Sequence, residues 1–192
     1  MAPQEMPEPR QPVMPDMPSG DIPDPPGMEK QILVAGVGNA WLGDDGFGGK
    51  VVERLLEMGP PPGVKVQDFG SGGLDLAYEV MRGYHALVMI DVSEQGGEPG
   101  DLYVIEPDPD DFKPIEDGES ISPHGMDPVS VLRFVTTVHG WPGKVVVVGC
   151  EPGDVEELAM ELTGPVKAAV DKAAGVVLEE LRKLQSDAAY NG

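Results

Sequence analysis

The chain of 192 residues carries 13 Lys and Arg against 34 Asp and Glu, a formal net charge of −21. A chain this acidic cannot neutralise a phosphate backbone and is repelled by an anionic membrane surface, so neither nucleic acid nor membrane is an expected partner. Its single cysteine, Cys150, excludes an intrachain disulfide and a cysteine-built zinc site. No run approaches the roughly 18 apolar residues of a membrane span, and no basic stretch leads into an apolar one at the N-terminus, so the expected compartment is the cytoplasm.

Residues 1–28 hold nine prolines, five methionines and scattered acids without apolar periodicity. They read as a disordered, partly polyproline-like tail, with a docking arm for a partner or a soft metal as the functional alternative. Residues 29–185 read as a single α/β domain. Its first strand is the apolar run Ile32–Val37, followed by a turn punctuated by glycines. Val51, Val52, Leu55 and Leu56 then give helical spacing that stops before Gly59. Val64–Phe69 predicts a second strand, Leu74–Met81 a short helix, and Ala86–Ile90 a third strand with Asp91 at its C-terminal end. Leu102–Ile105 predicts a strand running back beside the third, because the connection is too short for a crossover helix. Residues 106–123 form an acidic, proline-containing loop. Val129–Val138 predicts a helix and Val145–Val148 a fifth strand. A last amphipathic helix starts near Pro165, with Thr163 in position to cap it, and residues 186–192 should fray. Continuous apolar strands alternating with helices predict an α/β sandwich with a mostly parallel sheet.

The glycine-rich turn does not make a dinucleotide site. Gly36 and Gly38 are followed by Trp41 where the fingerprint needs its third glycine, and its indole should block a pyrophosphate. Asp44 and Asp45 would repel phosphate further. The carboxylates themselves are the more informative feature. Functional crevices of open α/β sheets lie beyond the C-terminal ends of the strands. Asp44 and Asp45 leave strand one, Asp68 lies near the end of strand two, Asp91 ends strand three, and His124 lies in the loop after strand four. Two carboxylates with one imidazole would suit a divalent first-row metal such as nickel, zinc or manganese. Each residue also has a plainer reading. Asp44 or Asp45 can cap the following helix, Asp91 can cap a turn, and a loop histidine commonly has no role. His85 sits at the wrong strand end, His139 closes a helix, and Cys150 reads as a buried thiol whose neighbours Glu151 and Asp154 would raise its pKa if close in space.

Taken together, the stretch ILVAGVGNAWLGDDGFG (Ile32–Gly48) resembles the opening signature of the hydrogenase maturation endopeptidases, which trim the C-terminus of nickel–iron hydrogenase large subunits. Further blocks match in order: DFGSGGLDL (Asp68–Leu76), VMIDVSEQGGEPGDLYV (Val88–Val104), SPHGMDPVSVL (Ser122–Leu132), VVVVGCEP (Val145–Pro152) and LTGPVKAAV (Leu162–Val170). The resemblance covers all but the tails. It implies a three-layer sandwich whose twisted five-stranded sheet has one antiparallel strand and helices on both faces. It implies a hydrolase, an aspartyl-type protease, acting on the large-subunit precursor. By motif position it implies that Asp45, Asp91 and His124 bind nickel delivered within the substrate, and that Asp68 lies near the scissile bond. The first ligand is commonly glutamate in relatives, so Asp45 is one methylene shorter, with Asp44 as a substitute. Alternatives of other classes are a nickel-binding maturation chaperone that does not cleave and a nucleotide-handling α/β enzyme.

Overall fold

Strand residues that are apolar at both odd and even positions need a layer on each side of the sheet. The computed structural model describes residues 31–113, 115, 128–139 and 143–190. Five strands, β1 (Ile32–Val37), β2 (Val64–Gly70), β3 (Ala86–Val92), β4 (Leu102–Ile105) and β5 (Lys144–Cys150), form one sheet in the order β2-β1-β3-β5-β4. β2, β1, β3 and β5 are parallel, and β4 is antiparallel to β5. Four helices cover the sheet: α1 (Phe47–Met58), α2 (Gly73–Val80), α3 (Pro128–His139) and α4 (Gly164–Tyr190). The result is the three-layer, mostly parallel α/β sandwich that the sequence predicts.

Alternation divides the core in two. Ile32, Val34, Val88, Ile90, Val146 and Val148 pack against α1 and α4 through Val51, Leu55, Val166, Val177 and Leu181. Their sequence neighbours Leu33, Ala35, Leu87, Met89 and Val145 pack on the other face against Leu76, Val80, Val131 and Val135 of α2 and α3. The period of two thus sends successive residues of one strand into separate cores.

The partner of β4 is a correction. β4 lies beside β5 at the sheet edge, and β5 occupies the place next to β3, paired from Ala86↔Lys144 to Val92↔Cys150. The physical reason is burial. Val145, Val146 and Val148 are at most 2% exposed, as a central strand requires, whereas Val104 and Ile105 of β4 are 46% and 36% exposed. α4 keeps helical geometry to Tyr190, into the stretch expected to fray. Among the described residues no helix is long and apolar enough to cross a membrane.

The strand order creates a topological switch. β2 lies on one side of β1 and β3 on the other, so the chain leaves β1 and β3 in different directions and opens a crevice at their C-terminal ends.

Candidate functional site

That crevice is built by close backbone packing. A Cβ on Gly48 would lie 2.3 Å from the Val37 carbonyl oxygen and 2.4 Å from that of Ile90, so the first turn of α1 rests directly on the ends of β1 and β3. Gly36 approaches α1 from below, where a Cβ would meet the Gly48 carbonyl oxygen at 2.7 Å and Val52 Cγ2 at 2.8 Å. Gly38 adopts φ +121°, and a Cβ there would fall 1.8 Å from the Asp45 carbonyl oxygen. The glycines are therefore occupied in chain packing and leave no cradle for phosphates. Trp41, at the position where the fingerprint needs its third glycine, is 61% exposed.

Between β1 and α1 the chain makes one 3-10 turn, Gly43–Gly46, that carries both adjacent aspartates. Neither caps α1, whose N-cap is Gly46 without a side-chain bond. Asp45 Oδ2 instead accepts the Asn39 N–H at 2.7 Å, which ties the carboxylate to the loop leaving β1. Asp44 turns inward and is fully buried. Its Oδ2 accepts from Gly153 N at 2.8 Å, Asp154 N at 3.1 Å and Thr163 Oγ1 at 2.9 Å, and its Oδ1 accepts from Thr163 N at 2.7 Å. A carboxylate saturated in this way cannot substitute for Asp45 as a metal ligand, which corrects that expectation. Thr163 directly precedes α4, but its hydroxyl is directed to Asp44.

Asp91 occupies the penultimate position of β3 and is 8% exposed. Its Oδ1 accepts the Val92 N–H at 2.8 Å. Its neighbours Ile90 and Val92 pack toward α1 and α4, so Asp91 faces the α2–α3 side. Asp68, exposed on β2, falls in one row with Gly36 and Ile90. Val64 and Val66 pack toward α1, and Asp68 shares their face. Asp68 Oδ2 would lie 2.9 Å from a Cβ on Gly49, and Oδ1 accepts the Gly70 N–H at 2.9 Å. Asp45, Asp68 and Asp91 therefore share the C-terminal rim, with Asp68 approaching from the α1 side of β1 and Asp91 from the other. His124 lies outside the described residues. Among the described residues no three His, Cys, Asp or Glu side chains form a cation cage.

A further buried acid is not legible in the sequence. Glu151 is 6% exposed and accepts from Gln95 N at 2.8 Å, Gly96 N at 3.2 Å and Tyr103 OH at 2.9 Å, closing the β3–β4 loop onto the end of β5. The Gln95 N–H holds its carboxyl below the ordinary glutamate range, with Tyr103, Gly97 and Gly96 adding to this against the opposite pull of burial. Only the run of valines ahead of it hinted at such burial. Cys150 is the buried thiol expected. Burial first, then the charges of Asp44, Glu151 and Asp101, push it up to about 11, so it is no nucleophile at neutral pH. Asp154, the other acid expected to raise it, is not among the causes.

The fold is that of an open, mostly parallel α/β sheet with three acids at its C-terminal rim. Comparison with known proteins narrows the class. The family described as hydrogenase maturation protease matches residues 50–180. A Methanocaldococcus jannaschii protein named for hydrogenase maturation protease is 33% identical over 81% of this chain and 99% of its own. The Escherichia coli hydrogenase maturating endopeptidase HybD superposes with a TM-score of 0.65 at 29% identity, covering 80% of this chain and 93% of its own. A NiFe hydrogenase maturation protease, HycI of Thermococcus kodakarensis, gives a TM-score of 0.61 at 27% identity over 80% of this chain and 93% of its own. The chain belongs to the hydrogenase maturation protease family and is accordingly a peptide-bond hydrolase.

Proposed function

We propose that this protease removes the C-terminal extension of a nickel–iron hydrogenase large-subunit precursor after nickel has been inserted, and that it reads the metal as its licence to cut. The observation that carries the reading is the placement of Asp45 and Asp91 at the β1/β3 crevice of a chain in this family. A carboxylate from the 3-10 turn and one from the end of β3, with His124 as the proposed third ligand, would make an oxygen-rich half-site that a metal already held by another protein would complete. Such a set suits transient capture better than tight retention of a resident metal. The precursor is thus the source of the nickel, and the metal belongs to the substrate.

Asp68 is the proposed general base. It is exposed at the same rim, and a scissile peptide crossing the end of β1 would pass between it and Asp91. Trp41, Leu158 and Met160, exposed by 61%, 82% and 67%, lie beside the backbone ties of the 3-10 turn and are the apolar surface proposed to meet the precursor. The 41–43 and 159 backbones hold them together through Gly43 N to Ala159 O at 2.8 Å and Ala159 N to Trp41 O at 3.1 Å.

The test is processing of a nickel-loaded precursor followed by mass measurement of the large subunit. Asp91→Asn should abolish capture of the loaded precursor, whereas Asp68→Asn should leave capture intact and slow cleavage by about 100-fold, the scale of a lost general base. Wild-type cleavage by Asp91→Asn would refute the reading.

A further inference from the structure

The two adjacent acids of the 3-10 turn are equal in charge and opposite in fate. Asp44 is buried with four accepted hydrogen bonds, every one from residues 153–163. Asp44 N also donates to Asp154 O at 2.9 Å and Gly43 N to Ala159 O at 2.8 Å, so backbone and side chain both fasten the turn to one segment more than a hundred residues away. Burying a carboxylate costs several kcal/mol unless its lone pairs are satisfied. Here the lone pairs are satisfied, and the carboxylate adds four hydrogen bonds to the two that the backbone makes to the same segment. A 3-10 turn has about three residues per turn and separates successive side chains by about 120°. Locking Asp44 inward therefore forces Asp45 outward to the rim, where Asn39 N–H fixes its direction.

We propose that Asp44 is the positioning residue of the site: its latch onto Gly153, Asp154 and Thr163 aims Asp45 at the incoming metal. The proposal rests on Asp45 as a metal-facing carboxylate. Asp44 touches no substrate itself. Asparagine cannot reproduce the latch, because its amide NH2 would face either the Thr163 N–H or the group of three donors. Valine at position 163 removes one donor and keeps the shape, and serine restores that donor.

The experiment measures initial rates of precursor processing by the full-length protein over a range of nickel-loaded precursor concentrations, at a temperature where circular dichroism shows each variant folded. Asp44→Asn should raise KM for the nickel-loaded precursor by about tenfold or more while kcat moves less than about twofold, the signature of weakened capture by the ligand that Asp44 aims. Thr163→Val should raise KM by about threefold, part of what a hydrogen bond to a charged carboxylate is worth, and Thr163→Ser should return it toward wild type. A merely structural latch would lower melting temperature in these variants and leave KM of the folded enzyme unchanged. Wild-type KM in folded Asp44→Asn would overturn the proposal. Should that variant fail to fold, equal KM in Thr163→Val and Thr163→Ser would overturn it instead. Asp45→Ala separates the two layers of the argument. If it is inactive while Asp44→Asn is normal, only the positioning role falls; if it is fully active, the ligand reading falls with it.

Discussion

Asp44 and Asp45 are indistinguishable in the sequence, and the structure separates them by partners that lie 109 to 119 residues downstream. Residue types alone left capping and ligation as equal readings and only the family resemblance favoured Asp45; the fold adds that neither residue caps α1 and that residues 153–163 bury Asp44. Asp91 was more legible, because an acid ending a continuous apolar strand has to emerge at the sheet edge. Glu151 was illegible for the opposite reason, since its donors are mainly backbone amides of a distant loop. It supports a pH prediction. Its folded pKa is depressed, so its contribution is present above the ordinary glutamate range and is lost as pH falls through the folded value. Glu151→Gln should therefore be less stable than wild type at pH 7, with the gap closing as the pH drops below about 4. Urea midpoints of both proteins across that range measure it, and a gap independent of pH would contradict the assignment.

At the scale of elements, apolar runs located the five strands of the described residues and the readings of α1 to α4 fell within a few residues, whereas the 3-10 turn Gly43–Gly46 went unread. What they could not locate was order in the sheet. The short link between β3 and β4 suggested neighbours, but burial decides, and the valine-rich β5 takes the central place. The packing of α1 on the ends of β1 and β3 was likewise hidden, because a glycine does not announce which carbonyl it approaches. Gly48→Ala tests that packing. Alanine improves helix propensity by about 1 kcal/mol, yet its Cβ would meet two backbone oxygens that cannot rotate away. Overpacking should win, with a net destabilisation of about 2 kcal/mol in urea unfolding. A stabilised Gly48→Ala protein would show that α1 stands further from the strands.

At the scale of the molecule, a net charge of −21 disfavours association with polyanions, and the proposed recognition therefore rests on apolar surface and on a metal held by the precursor. Residues 1–28 add almost no periodic apolar surface, so their deletion should shift the melting temperature by less than about 2 °C. A larger loss in a thermal melt would mean that they cover part of the core. The central claim is that nickel already in the precursor licenses the cut. It is measured most directly by offering the protease the same large-subunit precursor with and without nickel inserted and weighing the product by mass spectrometry. The account predicts loss of the C-terminal extension only from the nickel-loaded form; equal processing of the nickel-free form would contradict it.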